Sequence, residues 1–384
     1  MSKAVELISE TDQRLRVIAG QFVKSGRVQS VRPLGNGNIN GTFLVAVEPV
    51  QGSVSGEAAR FQERFVLQHI NAQVFSQPEQ VIQNMVVLSE HVRDHAADLP
   101  SHWQTPHILP TQRGHYYWID AAGNYWRAIS FIEDAHVLET VQNEGHAEAI
   151  GHGLAMFHRL VSTLPAEQLA DTLVGFHITP SYLTQYEQVR CAPAAQSRLK
   201  TERSRYCAAF IEQRKAEVGA LEQAKAAGHL RMRPIHGDPK VNNIMLDASG
   251  QAVGLIDLDT LKPGLVHYDI GDCLRSGCNP LGEETEDWQR VVFDADLARA
   301  MLRGYLSLAG DFLSPQDYDY LYDAIRLIAF ELGLRFFTDY LAGNVYFKVK
   351  HPAHNLTRAL VQFKLTESIE QQADTLRSLI QSMR

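Results

Sequence analysis

The segment His236-Gly237-Asp238-Pro239-Lys240-Val241-Asn242-Asn243 places chemically useful residues at fixed offsets. A histidine stands two before an aspartate, an asparagine stands five after it, and Asp257 follows fourteen residues beyond Asn243. An aspartate so placed can reach a hydroxyl and take its proton as the oxygen attacks phosphorus. An asparagine oxygen and a second carboxylate suit magnesium, a hard ion that takes oxygen ligands. The spacing is that of a phosphoryl-transfer loop, H-x-D-x-x-x-x-N, followed by a metal-binding aspartate at the end of a short hairpin. Lys240, two after Asp238, could lie over the transferring group and offset its charge. The plain alternative is a surface loop with a capping aspartate, but four positions must then coincide by chance in one strand context.

The apolar runs Ile244-Met245-Leu246 and Val253-Gly254-Leu255-Ile256 predict two buried strands, with Asp247-Ala248-Ser249-Gly250 as the turn. Such a hairpin brings Asn243 and Asp257 to the same end of adjacent strands. Upstream, the first 130 residues or so read as mostly β. Val28–Leu34, Thr42–Val47, Arg64–Ile70, Ile108–Thr111, Tyr116–Ile119 and Tyr125–Ile132 are strand-like, and a helical spacing covers Gln77–His95. The loop between the first two strands holds Gly35, Asn36, Gly37 and Asn38, residues that let backbone N–H groups approach phosphates. A hairpin turn without any ligand has the same composition. From Glu144 the pattern is helical, with a long polar helix over Ala195–Ala227 closed by Gly228, β structure over Pro234–Asp259, and helices over 286–309, 315–342 and 354–382. The order predicts an α+β, bilobal chain. A small β-rich N-lobe over 1–132 carries an antiparallel sheet and one main helix, and a larger α-rich C-lobe spans 133–384.

At about 150 residues per domain, 384 residues suit two domains or two lobes. The chain is 45% hydrophobic and 21% charged, as folded proteins are. Thirty-six Lys and Arg against forty-four Asp and Glu give a charge of −8, with no basic run, which argues against a nucleic-acid partner. Four cysteines, Cys191, Cys207, Cys273 and Cys278, form no C-x-x-C pair and suit a reduced compartment. The first ten residues lack the apolar core of a signal peptide, and no apolar run is long enough to span a membrane. A cytoplasmic protein with no membrane partner is the expectation.

In motif order over nearly the whole chain, the sequence resembles the aminoglycoside phosphotransferase and choline kinase group, which has a protein-kinase-like fold. The likeness rests on the glycine-containing loop, the HGD loop, the I-D-x-D segment and Leu154-Ala155-Met156-Phe157-His158. Within the group it is most similar to the N-acetylhexosamine 1-kinase branch. That likeness rests on Asn38-Ile39-Asn40, Phe65-Val66-Leu67-Gln68, Asp238 to Asn243, and Ile256-Asp257-Leu258-Asp259-Thr260 with Pro263-Gly264. Tyr268-Asp269-Ile270-Gly271-Asp272, Glu331 to Phe336 and Val345-Tyr346-Phe347-Lys348 add to it.

The resemblance implies ATP and Mg2+ as cofactors, Asp238 as base, and Asn243 and Asp257 as metal ligands. It places Lys240, Arg335 and Tyr346, with Asn40, at a sugar pocket, and adenine against Ser130, Phe131 and Ile132. The reaction it implies is phosphorylation of the anomeric hydroxyl of an N-acetylhexosamine. The wider group has a third-strand lysine where this chain has Gln68, which can bond to phosphate but carries no charge. Either magnesium and Lys240 make up the deficit or nucleotide affinity is modest.

Other candidates have simpler readings. Asp269 and Asp272 read as structural, Asp269 as an N-cap or as a brace on the catalytic loop. Asp259 could reach a metal through water or cap a turn. His146, His152 and His158 recur every six residues and share no helix face, so zinc is not expected. His236 reads as a loop-fixing residue. The aromatic stretch Tyr116-Tyr117-Trp118 with Tyr125-Trp126 reads as packing or as a sugar platform. Arg335, in an apolar helix, needs a partner, either a carboxylate such as Asp339 or a substrate. Glu283, Glu284 and Glu286 are the one acidic cluster that could favour a cationic substrate, and a solvated helix start explains them too. The competing functions are a kinase for an aminoglycoside, choline or amino alcohol, and a nucleotide-binding pseudokinase.

Overall fold

The computed structural model of the chain describes residues 13–35, 40–49 and 64–384, Asp98 by its backbone alone. Two compact units emerge: Met1–Asp134 with Glu167–Thr172 and Leu258–Leu261, and Ala135–Ala166 with Leu173–Asp257 and Lys262–Arg384.

The first unit is built on an antiparallel sheet of β1 (Arg27–Pro33), β2 (Gly41–Glu48), β3 (Arg64–His69), β4 (Ile108–Leu109), β5 (Trp118–Ile119) and β6 (Tyr125–Ser130). The spatial order is β1-β2-β3-β6-β4, with β5 against β6. Alternation along the strands sends Val45, Val47, Phe65, Leu67, Trp126 and Ala128 into a core closed by Ile18, Ala19 and Phe22 of a helix over 13–20 and the turn after it. Trp126 therefore belongs to packing, while Tyr116 is exposed. The opposite face carries Gln68 and Arg127, paired directly across β3 and β6. Helix α1 (Pro78–Asp94) buries Asn84, whose amide N–H groups donate to the carbonyls of Leu261 and Ala170 and whose oxygen accepts the Ala170 N–H. This one side chain pins both returning segments, 167–172 and 258–261, to the first unit.

The second unit contains the expected hairpin, β9 (Ile244–Asp247) against β10 (Ala252–Leu255), with β7 (Ala135–His136) added to its edge. The Asp247 carboxylate closes the turn by accepting the Ser249 and Gln251 N–H groups. A second short ladder pairs β8 (Arg233–Ile235) with β11 (Lys262–Gly264). Helices α2 (Glu144–Val161) and α7 (Val266–Gly277) pack against these strands, while α3 (Thr179–Arg190), at a position where the sequence predicts no helix, packs on the helix over 321–342.

The long polar helix expected over 195–227 is instead three, α4 (Pro193–Arg198), α5 (Glu202–Arg214) and α6 (Ala220–Ala226). Thr201 starts a new helix by accepting the Ser204 N–H, and Gly219 precedes another. Likewise the helix expected from 286 begins only at α8 (Ala295–Leu306), where the Asp294 carboxylate caps it. The stretch 315–342 breaks at Tyr320 into α9 (Pro315–Asp319) and α10 (Leu321–Ala342), and 354–382 breaks at Gln372 into α11 (His354–Gln371) and α12 (Ala373–Ser382). Among the described residues no helix is long and apolar enough to cross a membrane.

Helices α2 and α8 touch backbone to backbone through Gly151 and Gly304. A Cβ on Gly151 would fall 1.9 Å from the Met301 carbonyl oxygen, and one on Gly304 2.0 Å from that of Glu148. Gly151→Ala therefore destabilises the protein by about 1–3 kcal/mol or more, read as a lower urea midpoint. An unchanged midpoint would mean that the two helices can part without loss.

Candidate active site

In the second unit, β8 delivers the chain into the loop that carries Asp238. Gly237 takes φ +86°, a left-handed conformation that a Cβ disfavours. Such a turn has no ladder to satisfy its backbone, so side chains do it. The buried Asp269 carboxylate on α7 accepts the His236 N–H at 2.7 Å and the Gly237 N–H at 2.9 Å, and faces His158 Nε2 of α2 at 2.9 Å. Asp269 lies inside α7 and caps nothing, so of its two expected roles the brace is the one observed. Val241 N–H donates to the Ser276 hydroxyl, also on α7.

His236 ties two pieces of the site together. Its Nδ1 accepts the Asp238 N–H at 3.3 Å, so Nε2 carries the hydrogen and donates to the Ile256 carbonyl at 2.9 Å. That carbonyl shares a peptide unit with the N–H of Asp257. Beyond the β9–β10 ladder, Ile256 N–H donates to the Asn243 carbonyl, which sets Asn243 beside the residue preceding Asp257. Asp257 then turns with φ +66°. Asn243 gives its amide N–H to the Asp238 carbonyl at 2.7 Å, leaving the amide oxygen as the atom for a cation. One carboxylate and one amide oxygen, completed by phosphate oxygens and water, make an ordinary magnesium ligand set.

Lys240 Nζ donates to Asp238 Oδ2 at 2.9 Å. The Asp238 charge holds the lysine pKa above its usual value against the opposing effect of burial, and Asp257 adds to the rise. Lys240 therefore stays cationic beside the proposed base. Arg335 on α10 has its guanidinium against the faces of Phe176 and Tyr182, each at 5.0 Å, and of Phe347 at 5.6 Å. Asp339, one of its two expected partners, is engaged elsewhere. It accepts the N–H groups of Val345, Tyr346 and Phe347 and the Asn355 amide, and so shapes the loop that presents the exposed Tyr346. The charges of Asp238 and Glu331 and the hydroxyls of Tyr182 and Tyr346 act on Arg335.

The acidic cluster is not a helix start. Glu283 pairs with Arg275, Glu286 with His351, and Glu284 with Lys350, His354 and Arg358. Burial alone would raise the Glu284 pKa, but those cations bring it down to about 2.

In the first unit, Gly35 follows β1 with φ +68°, while Asn36, Gly37 and Asn38 lie outside the described residues. Ser130 gives its hydroxyl oxygen to the His107 N–H, Phe131 faces Arg64 at 5.2 Å, and Ile132 is buried. Gln68 Oε1 accepts from Arg127 Nε at 3.0 Å and Nη2 at 2.7 Å, while its amide donates to Thr42. Arg127, 1% exposed, also bonds to the buried Asp259 carboxylate. Asn40 holds the other Asp259 oxygen with its amide N–H, and its own oxygen accepts the Asn71 N–H. Asp259 is thus the partner of a buried arginine, neither of the two roles expected for it. Asn40, expected at the sugar pocket, has both ends of its amide engaged inside this unit.

Arg127 is the residue that motif spacing missed. It supplies a positive charge directly across the ladder from Gln68, and only the register of two distant strands reveals it. Removing it leaves a buried carboxylate unpaired, so Arg127→Met costs about 3–5 kcal/mol of stability. Adding Asp259→Asn recovers part of that loss in denaturant unfolding. Equal stability of the single and double variants would show that the two charges are not coupled.

Residues 30–313 match the model of a phosphotransferase enzyme family. Among solved structures, an aminoglycoside phosphotransferase from Alicyclobacillus acidocaldarius superposes with a TM-score of 0.60 at 14% identity, over 95% of this chain and 96% of that one. A microcompartment-associated aminopropanol kinase gives 0.61 at 16%, over 94% and 98%. A spectinomycin phosphotransferase in complex with ADP and spectinomycin gives 0.54 at 11%, over 94% and 98%. At these identities the structures speak for a shared fold. The family match covers well over half of the sequence and includes every element of the Asp238 loop, and the chain belongs to the phosphotransferase enzyme family.

Proposed function

We propose that the protein is an ATP- and magnesium-dependent kinase that phosphorylates the anomeric hydroxyl of an N-acetylhexosamine. The observation that carries the choice of acceptor is the charge around Asp238. Lys240 is bonded to it, its charge also acts on Arg335 and Arg275, and Glu283 and Glu284 already have cationic partners. A polycationic or quaternary acceptor needs carboxylates or an aromatic cage that is free of a resident cation. Here the aromatic box of Phe176, Tyr182 and Phe347 holds an arginine, and a neutral acceptor rich in hydroxyl and carbonyl oxygens suits its N–H donors.

In this reading the anomeric oxygen attacks the γ-phosphorus, its bond to the bridging oxygen of ADP breaks, and the hydroxyl proton passes to Asp238. An anomeric hydroxyl is more acidic than an ordinary sugar alcohol, so the proton can move late, and positioning with charge neutralisation does most of the catalysis. Lys240 offsets charge on the transferring group, and Arg335 with Tyr346 binds the sugar. Gly35, Asn36, Gly37 and Asn38 contact the nucleotide phosphates, Gln68 being taken up by Arg127 and Thr42 instead, and the backbone around Ser130, Phe131 and Ile132 meets the adenine. Asn243 and Asp257 would hold magnesium, which when bound neutralises phosphate charge. A kinase of an amino alcohol is the second reading, favoured by the fold shared with the aminopropanol kinase.

The test is incubation with MgATP and a panel of N-acetylglucosamine, N-acetylgalactosamine, other free sugars, aminopropanol, ethanolamine and choline, followed by phosphorus NMR. The expected product is an anomeric phosphate from an N-acetylhexosamine, and phosphorylation of an amino alcohol alone would replace this reading with the second. Asp238→Asn is expected to lower kcat by about 10²–10⁴-fold and to change the Kd for ATP by no more than about twofold. Intact turnover in that variant would remove Asp238 as the base. Arg335→Met is expected to raise the KM for the sugar by about tenfold or more, as loss of a charged hydrogen bond does.

A further inference from the structure

Several histidines of the second unit are buried, and their partners dictate their protons. His158 faces the Asp269 carboxylate with Nε2 and the Tyr305 hydroxyl with Nδ1, and that hydroxyl can donate or accept. His267 gives Nε2 to the Asp317 carbonyl, and its Nδ1 has no hydrogen-bond partner among the described residues. One ring hydrogen serves each. His177, two residues before α3, is different. Its Nδ1 lies 3.0 Å from Glu331 Oε1 and its Nε2 lies 2.8 Å from the Gly237 carbonyl oxygen. A carboxylate and a carbonyl only accept, so both ring nitrogens must donate. Placing a proton on Glu331 instead leaves it in the same hydrogen bond, and imidazole is the stronger base.

The Gly237 carbonyl and the Asp238 N–H are the two ends of one peptide unit. His177 holds the first end and His236 the second, while Asp269 holds the Gly237 N–H. At φ +86° the glycine prefers no single orientation, so these outside bonds fix the peptide plane from which Asp238 projects. We propose that His177 is a positioning residue: as an imidazolium paired with Glu331 it grips the Gly237 carbonyl and thereby sets Asp238 for proton transfer. The proposal rests on the reading of Asp238 as the base.

The surroundings fit this role. From α10 comes Glu331, whose second oxygen accepts the Thr179 hydroxyl at 2.7 Å, with Arg335 one turn further on. From α7 come the stacked ring of Tyr268 at 5.4 Å, its hydroxyl bonded to Glu222, and Asp272, which is paired with Arg275 at 2.8 Å. Phe176 covers another side of the ring at 4.0 Å. Burial opposes the charge on His177, but the Glu331 carboxylate outweighs it, and Asp272 and the Gly237 carbonyl add to the effect, so the pKa lies above its ordinary value. The sign follows: the grip is complete below about pH 6.5, the unfolded value, and is lost as pH rises through the folded one.

The experiment is nitrogen NMR of protein labelled with 15N-histidine, without substrate. At pH about 8, where ordinary rings are neutral, a doubly protonated ring should persist. It should vanish in Glu331→Gln, because glutamine can itself donate to Nδ1. A wild-type spectrum with no such ring overturns the proposal, whether or not any variant folds. Kinetics with MgATP and N-acetylglucosamine then test the positioning. His177→Asn tolerates the left-handed φ of +64° and should lower kcat at least tenfold, with the KM for ATP within about twofold. Glu331→Gln should move the alkaline limb of kcat to lower pH. An unchanged kcat together with an unmoved limb in folded variants overturns the role, since a merely structural contact would change stability alone. Absence of turnover with every acceptor removes the kinase reading, and the positioning role falls with it, while the protonation of the ring is still decided by the spectra.

Discussion

The second unit depends on where the backbone N–H groups of His236 and Gly237 end. A left-handed glycine turn cannot pair with a neighbouring strand, and a buried amide without an acceptor is costly. The Asp269 carboxylate takes both hydrogens, and His158 supplies the donor that a buried carboxylate needs. Three helices thereby become necessary to one loop. Helix α7 carries the acceptor, α2 carries His158, and α8 carries Tyr305, whose hydroxyl completes the chain at 2.7 Å from the imidazole. The close glycine contact between α2 and α8 has its purpose here, because it brings His158 and Tyr305 within reach of each other.

The first unit solves a different electrostatic problem. Its sheet has one apolar face, and on the other a charge is buried almost completely. Arg127 survives there because its donors end on Gln68, on Asp259 and, more weakly, on the Met85 sulfur. A glutamine on β3 is thus no loss of function in itself. It acts as the acceptor that orients the arginine across the ladder, a task that a lysine at the same place could not perform.

What the local sequence encodes, and what it does not, follows from range. Asp238, Asn243 and Asp257 were legible because a loop and a hairpin bind them at short separation, and the apolar runs around them have strand length. The strands of the first unit stand out in the sequence as short apolar runs separated by Gly, Asn and Ser clusters. Arg127, Asn84 and His177 were not legible. Each acts through a partner 59, 177 or 154 residues away along the chain, and no local pattern encodes such a meeting. Helix ends were misjudged for another reason. Periodicity runs on through Thr201, Tyr320 and Gln372, and only the caps and backbone turns mark the breaks. Arg335 was recognised as needing a partner, but the aromatic faces that surround it could not be told from its neighbours in sequence.

Asp257 carries two demands that meet in few residue types. Its left-handed backbone admits glycine, asparagine and aspartate with little strain and makes most other side chains costly. Of those three only aspartate is an anion. Glutamate keeps the charge but lacks the short side chain that tolerates this backbone, and asparagine keeps the backbone but gives up the charge. Drift at this position therefore has no gradual path: a neutral step in conformation is a full step in electrostatics, and the reverse holds as well.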